Sequence, residues 1–343
     1  MPATDLKDPR GRRPLFDWAP ELVSRVPWRP LADLPTPVQR MAHAPNAWIK
    51  RDDLTHTEYG GNKIRKLEFI IADALARGAR KIVTFGATGT NHGVATAMMC
   101  QRVGLACEVL LFDQPDSPTV RMNQSLMRHY GAQLVYCGSL AMTVMRYYLH
   151  ADRLRRGNYF LFAGGSNIPG TLGFVNAAFE IRQQVAEGIM AAPATVVCPV
   201  GSSATLAGLT LGFQWAGMPV KVIGVRVAPS HLGPFAACTT ETVAALMQKT
   251  RRHVMKARGI SLPLHEKPLL LDEYYGDGYG VGASWGEAAK STFAREGYVL
   301  EQTYSAKAAA CFLDQVDASD LPVLFWHTFN SRPMPVQASG GHA

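Results

Sequence analysis

Apolar residues along this chain fall in short blocks separated by glycine, proline and small polar residues, and the blocks change period as they go. Leu67, Ile70, Ile71, Ala74 and Leu75 recur at helical spacing and Gly78 closes the run, so a helix is predicted over 67–78. The apolar run 81–85 ends at Gly86 and reads as a buried strand; helix, strand, helix and strand follow at 94–103, 107–112, 120–130 and 133–137. A bend at Gly164-Gly165-Ser166-Asn167 precedes a helix over 172–185. Strand 195–199, helix 206–215 and strand 220–227 then repeat the rhythm, and 321–327 is a further buried strand. A short strand at 47–51 and a turn-rich loop over 52–62 come before all of these. Residues 1–30 read as an irregular arm suited to wrapping a neighbouring subunit, and 339–342 as a loose tail. Strands separated by crossover helices predict an α/β fold with open, mostly parallel, helix-covered sheets.

With 343 residues, the chain is long for a single core, and two connected domains are expected. Apolar residues make up 47% and charged residues 18%, the balance of a folded globular protein. A net charge of +8 raises the question of nucleic acid. The basic residues are scattered, however, and no basic stripe is interleaved with aromatics, so a small anionic ligand or a solvated surface is expected instead. The six cysteines form no CxxC pair and sit in apolar contexts, as buried thiols in a reducing compartment do. No signal peptide is visible in residues 1–30, and no apolar run reaches the roughly 18 residues of a membrane span. The expectation is a soluble cytoplasmic protein with neither nucleic-acid nor membrane partners.

Three segments carry candidate chemistry. Gly60-Gly61-Asn62-Lys63 places an amine after a glycine bend at the mouth of an apolar helix, where desolvation depresses an ammonium pKa and suits it to Schiff-base formation. Gly201-Ser202-Ser203-Ala204-Thr205 follows one strand and opens a helix, the arrangement in which backbone N–H groups and a helix dipole receive a phosphate. Gly86 to Gly93, with Thr88, Gly89, Thr90, Asn91 and His92, has the same placement and would suit a substrate carboxylate. Each alone is equally compatible with an ordinary turn. Neither loop has the GxGxxG or GxxxxGK[ST] spacing of the nucleotide-binding fingerprints. Tyr279, Tyr304 and Ser305 lie in glycine-rich or strand-end contexts near the C-terminus, and the histidines show no metal-ligand spacing, so no metal is assigned.

Taken in order, Trp48-Ile49-Lys50-Arg51-Asp52-Asp53-Leu54-Thr55, the 60–68 segment, Thr90-Asn91-His92, Gly164-Gly165-Ser166, Thr205-Leu206-Ala207-Gly208 and Tyr304-Ser305-Ala306-Lys307-Ala308 resemble the aminocyclopropane-carboxylate deaminase and D-cysteine desulfhydrase family. These are pyridoxal 5'-phosphate enzymes of the tryptophan-synthase-β-like, fold type II group. The resemblance implies a large cofactor-binding domain (1–71 with 176–343), a small domain (72–175) inserted in it, and a homodimer. It implies that Lys63 is the Schiff-base lysine and moves the substrate's α-proton. Gly201, Ser202, Ser203, Ala204 and Thr205 would hold the cofactor phosphate, Asn91 its 3-oxygen, and Ser305 would meet its pyridine nitrogen. Thr88 to His92 would grip the carboxylate of a small amino acid, and Thr90, Tyr279 and Tyr304 would steer or relay protons.

Family deaminases that open the cyclopropane ring carry a glutamate where Ser305 stands and a leucine where Thr328 stands, whereas desulfhydrase-type members carry hydroxyls at both. The chain therefore leans to β-elimination, giving a 2-oxo acid and ammonia. The alternatives are a ring-opening deaminase, a racemase or β-replacement enzyme, and a non-catalytic cofactor-binding relative. Three departures bear on the pocket: the family's serine before Asn-His is Thr90, its His-Thr-Gly-Gly is His327-Thr328-Phe329-Asn330, and its Asp-Pro is Glu301-Gln302.

Overall fold

The computed structural model describes residues 13–332, apart from 233, 234 and 266. A short helix α1 (Pro14–Trp18) and a 3-10 turn lead to β1 (Val38–Arg40) and β2 (Ala47–Lys50), then to α2 (Lys63–Ala76). Strands β3 (Lys81–Ala87), β4 (Ala106–Phe112), β5 (Gln133–Gly138) and β6 (Asn158–Phe160) alternate with α3 (Asn91–Val103), α4 (Pro118–His129) and α5 (Leu140–Tyr148). The chain then runs through α6 (Ile168–Ala186), β7 (Thr195–Val200), α7 (Ala204–Trp215) and β8 (Lys221–Arg226). The two-residue strands β9 (His231–Leu232) and β10 (Phe235–Ala236) precede α8 (Thr240–Arg258) and β11 (Leu269–Leu271). Finally come α9 (Ser284–Arg295), α10 (Ser305–Asp317) and β12 (Val323–Trp326).

Two open sheets result. The first has the order β1-β2-β12-β7-β8-β11 and is parallel except for the β1/β2 pair; the second, β5-β4-β3-β6, is parallel throughout. Helix-covered parallel strands buried on both faces account for the near-continuous apolar runs 81–87 and 195–200. All strands of the smaller sheet come from residues 81–160, and the anticipated division points at 71/72 and 175/176 fall inside α2 and α6.

Helix α2 belongs to both halves. Its Ile64, Leu67, Ile70, Ile71 and Ala74 pack in the core of the small sheet, while Phe69 reaches the core of the large one. The arm does not reach for a neighbour over its described part: Leu15, Phe16, Ala19, Leu22 and Val26 are buried in the chain's own large core. Burying that much apolar surface at home outweighs leaving it for a partner. Arg13 pairs with Glu68 on α2, whose carboxylate also accepts from the Leu31 and Ala32 amides, both at 3.0 Å. The tail expected at 339–342 lies outside the described residues.

The charges of the 48–68 signature form a buried lattice. Arg65 donates to both Asp52 oxygens (2.7 and 2.7 Å) and both Glu180 oxygens (2.8 and 2.9 Å), and Lys50 Nζ donates to Glu180 at 2.6 Å. Trp326 Nε1 donates to Asp52 at 2.6 Å. Two cations thus meet two carboxylates with their hydrogen bonds filled, the condition under which buried ions are tolerated. The lattice ties β2, α2, α6 and β12 into one block directly beneath Lys63.

Candidate active site

A cleft between the two sheets gathers the ends of parallel strands and the helices that follow them, the place where open α/β sheets put ligands. Lys63 opens α2 at its floor, half-buried, with Nζ donating to Asn62 Oδ1 at 2.9 Å. The bend before it needs its glycines. A Cβ on Gly60 would stand 1.9 Å from Asp53 O, and Gly61 has φ +103, which other residues rarely adopt. The Asn62 amide donates to Thr328 O at 3.1 Å, so the lysine is fixed against the chain after β12. Burial pushes the Lys63 amine down to about 8, partly opposed by Glu301.

The second wall is the start of α3. Thr90 is its N-cap, with Oγ1 accepting from Gly93 N at 3.2 Å and, among the described residues, no acceptor for its own proton. The methyl that distinguishes it from serine sits over Gly93, where a Cβ would lie 2.5 Å from Thr90 Cγ2. Asn91 Oδ1 accepts from Tyr59 Oη (3.0 Å) and Asn123 Nδ2 (2.8 Å). His92 lines the cleft, but its Nε2 meets Thr84 Oγ1 at 2.9 Å, and burial followed by Lys63 and Lys66 holds it well below the usual histidine range, so it is neutral. Thr88 and Gly89 lie behind the lining; their amides donate to Phe112 O (2.8 Å) and Gln114 Oε1 (3.2 Å).

Gly201, Ser202 and Thr205 line the third side, at the start of α7, which has no side-chain cap. Thr205 is buried and lines the cleft. Ser203 faces away, its Oγ 3.1 Å from Thr242 Oγ1, and the Ala204 amide donates to Ser166 Oγ at 3.2 Å. Ser202 Oγ and Lys66 Nζ both donate to Gly164 O, at 3.3 and 3.0 Å. Gly164 has room for no side chain, since a Cβ would come 2.3 Å from Ser202 Oγ. Open amides, hydroxyls and a buried ammonium at a helix N-terminus fit a phosphate dianion. Burial and the neighbouring Lys63 hold the Lys66 amine well below its usual range, a state that an anion would reverse.

The last wall carries Tyr279, Tyr304 and Glu301. The two tyrosine hydroxyls are hydrogen-bonded, with ring centroids 5.9 Å apart. Burial raises both, Tyr279 to about 12, so both stay protonated donors at neutral pH. Ser305 is fully buried behind Tyr304; its Oγ accepts from Glu301 N at 2.8 Å and it does not line the cleft. Glu301 does line it, with carboxylate oxygens accepting from the amides of Thr303 (2.7 Å), Tyr304 (2.6 Å) and Ser305 (2.6 Å). Burial raises its pKa against those N–H groups. Glu301 thereby caps α10, whose N-cap Tyr304 supplies no side-chain bond.

Tyr59, Lys66 and Asn123 were not singled out from sequence, and Glu301 and Ser166 were named there only as parts of motifs, without a role. Lys66 carried a readable signal, standing one helical turn from Lys63 on the same face; Tyr59 and Asn123 carried none, because their partner is distant in sequence.

Comparison with known proteins accounts for this arrangement. The family model described as pyridoxal-phosphate dependent enzyme matches residues 29–324. A D-cysteine desulfhydrase from Salmonella choleraesuis (strain SC-B67) is 33% identical over 324 residues, covering 89% of this chain and 94% of the relative. One from Salmonella paratyphi A is 34% identical over the same length. Among solved structures, an ACC deaminase homologue superposes with a TM-score of 0.77 at 27% identity, covering 94% of this chain and 95% of that one. A fungal L-serine ammonia-lyase from Rhizomucor miehei shares the fold with a TM-score of 0.63 at 17% identity, covering 88% of this chain and 95% of that one. The chain is a member of the pyridoxal-phosphate dependent enzymes of fold type II, with pyridoxal 5'-phosphate as its cofactor.

Proposed function

We propose that this enzyme catalyses β-elimination on a small β-substituted amino acid of the cysteine kind, releasing a 2-oxo acid and ammonia. The observation that carries the reading is the Lys63 amine, pushed down to about 8 at the floor of a cleft that also holds an anion cup and a protonated tyrosine pair. Pyridoxal phosphate supplies, when bound, an aldehyde that captures amines and a conjugated ring that accepts the electron pair left at the α-carbon.

The protein's own groups do the rest. Gly201, Ser202 and Thr205, with Lys66, would hold the phosphate, while the Ser203 hydroxyl and the Ala204 amide are engaged with Thr242 and Ser166, and Asn91 would offer its amide nitrogen to the ring's 3-oxygen. Ser305 and Thr328 leave the nitrogen side without a dedicated carboxylate, since Glu301 is committed to three backbone amides. The substrate carboxylate would lie at the start of α3, against Thr90 and Asn91 and not against Thr88 and Gly89, which lie behind the lining with their amides bonded elsewhere, with the helix dipole favouring its charge. Lys63 removes the α-proton. The bond from Cβ to the leaving group breaks as the electron pair moves into a carbon–carbon double bond, and Tyr304 or Tyr279 gives the departing sulfur its proton. The unsaturated amine takes up water to give the 2-oxo acid and ammonia. Thr90, whose hydroxyl proton has no acceptor among the described residues, would steer the substrate carboxylate.

We further propose a homodimer in a reducing, cytoplasmic compartment. Met142, Met145 and Tyr148 on α5 and Leu149 just after it are exposed apolar side chains suited to a subunit contact, and the six cysteines are free. No described helix is long and apolar enough to cross a membrane.

The decisive experiment supplies the reconstituted enzyme with D- and L-cysteine and β-chloroalanine and measures 2-oxo acid and ammonia. Borohydride reduction before peptide mapping should fix the cofactor to Lys63. Racemised substrate, or capture of an added thiol without ammonia release, would replace this reading with racemisation or β-replacement, and an adduct on another lysine would remove Lys63 from its role.

A further inference from the structure

Four large apolar side chains at or just beyond the carboxyl ends of the small sheet's strands line the cleft. Phe85 comes from β3, Phe112 is the last residue of β4, Leu140 follows β5 as the first residue of α5, and Phe162 follows β6. Phe85 and Phe162 meet edge to face, with centroids 5.0 Å apart at 87°. Phe329 lines the same space from the segment after β12. Charged side chains on the cleft lining are confined, among the described residues, to Lys63 and Glu301. Neither is available to a distant substrate group, because Lys63 is the reacting amine and Glu301 is filled by three backbone N–H donors. His92 is neutral and bonded to Thr84.

A substrate whose β-substituent ends in a carboxylate or an ammonium would therefore lose its hydration against a phenylalanine wall with no counter-charge to meet it. An uncharged apolar substituent gains from the same wall. Building on the β-elimination reading, we propose that the enzyme selects amino acids with an uncharged, apolar β-substituent, such as an S-alkyl or S-aryl thiol, and discriminates against disulfide or thioether substrates that carry a second amino-acid head.

The test begins with binding. Unreactive alanine, phenylalanine and aspartate, as both enantiomers, are titrated into the reconstituted enzyme and followed through the cofactor's absorption band. Phenylalanine of the accepted configuration should bind roughly 10- to 200-fold more tightly than alanine, the range that apolar pocket contacts give, and aspartate should bind more weakly than alanine. In turnover, kcat/KM should rank S-phenylcysteine above S-methylcysteine, with cystine far below both. Phe112→Ser and Phe162→Ser should each shrink the phenylalanine-to-alanine ratio. Equal binding of alanine and phenylalanine, or cystine used as well as S-phenylcysteine, would overturn the proposal. Turnover of cysteine without apolar preference sinks this inference alone. Tight phenylalanine binding without release of any 2-oxo acid sustains it and sinks the elimination reading instead.

Discussion

Tyr59 and Asn91, from the loop before Lys63 and the start of α3, are joined by a hydrogen bond of 3.0 Å from the phenol to the amide oxygen. Asn123 completes the arrangement: its Nδ2 donates to Gly89 O at 2.8 Å and so is a donor, which makes the Asn91 atom it also meets, at 2.8 Å, an oxygen. With that oxygen taken twice, the Asn91 amide nitrogen is the group presented to a ligand. Tyr59→Phe should leave the fold intact and weaken the cofactor by about 1 kcal/mol, roughly five-fold in Kd, the usual size of one such bond. Titration of the apo-enzyme with pyridoxal phosphate measures it, and unchanged affinity would show that Asn123 alone orients the amide.

Lys63 links catalysis to pH through its burial. Its amine titrates at about 8 in the fold and near 10.5 when unfolded. Below the lower value both states are charged and the fold bears the full cost of a buried cation. Between the two values the unfolded chain holds the extra proton, so stability rises with pH across this window. Lys63→Met should therefore raise the Tm of the apo-enzyme at pH 7, with the gap from wild type closing as pH climbs towards 10.5. A gap independent of pH would refute the burial argument.

Lys66 should report on the anion cup without any turnover. Inorganic phosphate is expected to raise the Tm of the apo-enzyme by mass action. Lys66→Met should abolish that rise and weaken the cofactor by about 1.5–3 kcal/mol, the usual worth of a charged hydrogen bond. An undiminished phosphate effect in the variant would place the dianion elsewhere.

Glu180 anchors the ion lattice. Burial alone would raise its pKa, but Arg65 and Lys50 outweigh that and hold it well below the usual carboxylate range. The stability it contributes is present above pH 4.5, the unfolded value, and is lost as pH falls below it. Glu180→Gln should cost about 3–5 kcal/mol near neutrality, because two buried cations lose their partner. Urea denaturation at pH 7 and pH 4 should show the difference shrinking in acid.

The apolar periodicity located the longer strands and β2 and β12 to within a few residues, missed the short β1, β6, β9, β10 and β11, and placed the helices less well at their starts. Helices α2, α3 and α7 begin at Lys63, Asn91 and Ala204, earlier than the apolar pattern showed, because their first turns face the cleft and carry polar or small residues. Helix α8 was legible yet unread: Val243, Leu246, Met247, Thr250 and Val254 recur at helical spacing behind a Thr239–Thr242 capping box. Helix α10 hid its start, since its cap is Glu301, four residues before Ser305. The site was legible where a residue type announces its chemistry beside a bend, as at Lys63 and Gly201. It was hidden where a role depends on a distant partner, as with Tyr59 and Asn123 on either side of Asn91, or on burial, as with Ser305.

Strand β12 comes last in chain order among the strands of its sheet, yet lies between β2 and β7, and Thr328 just beyond it receives the Asn62 amide. During synthesis, the reactive lysine therefore leaves the ribosome long before the segment that fixes it. Capture of the cofactor by a fixed Lys63 then waits on the strand of this sheet that is made last.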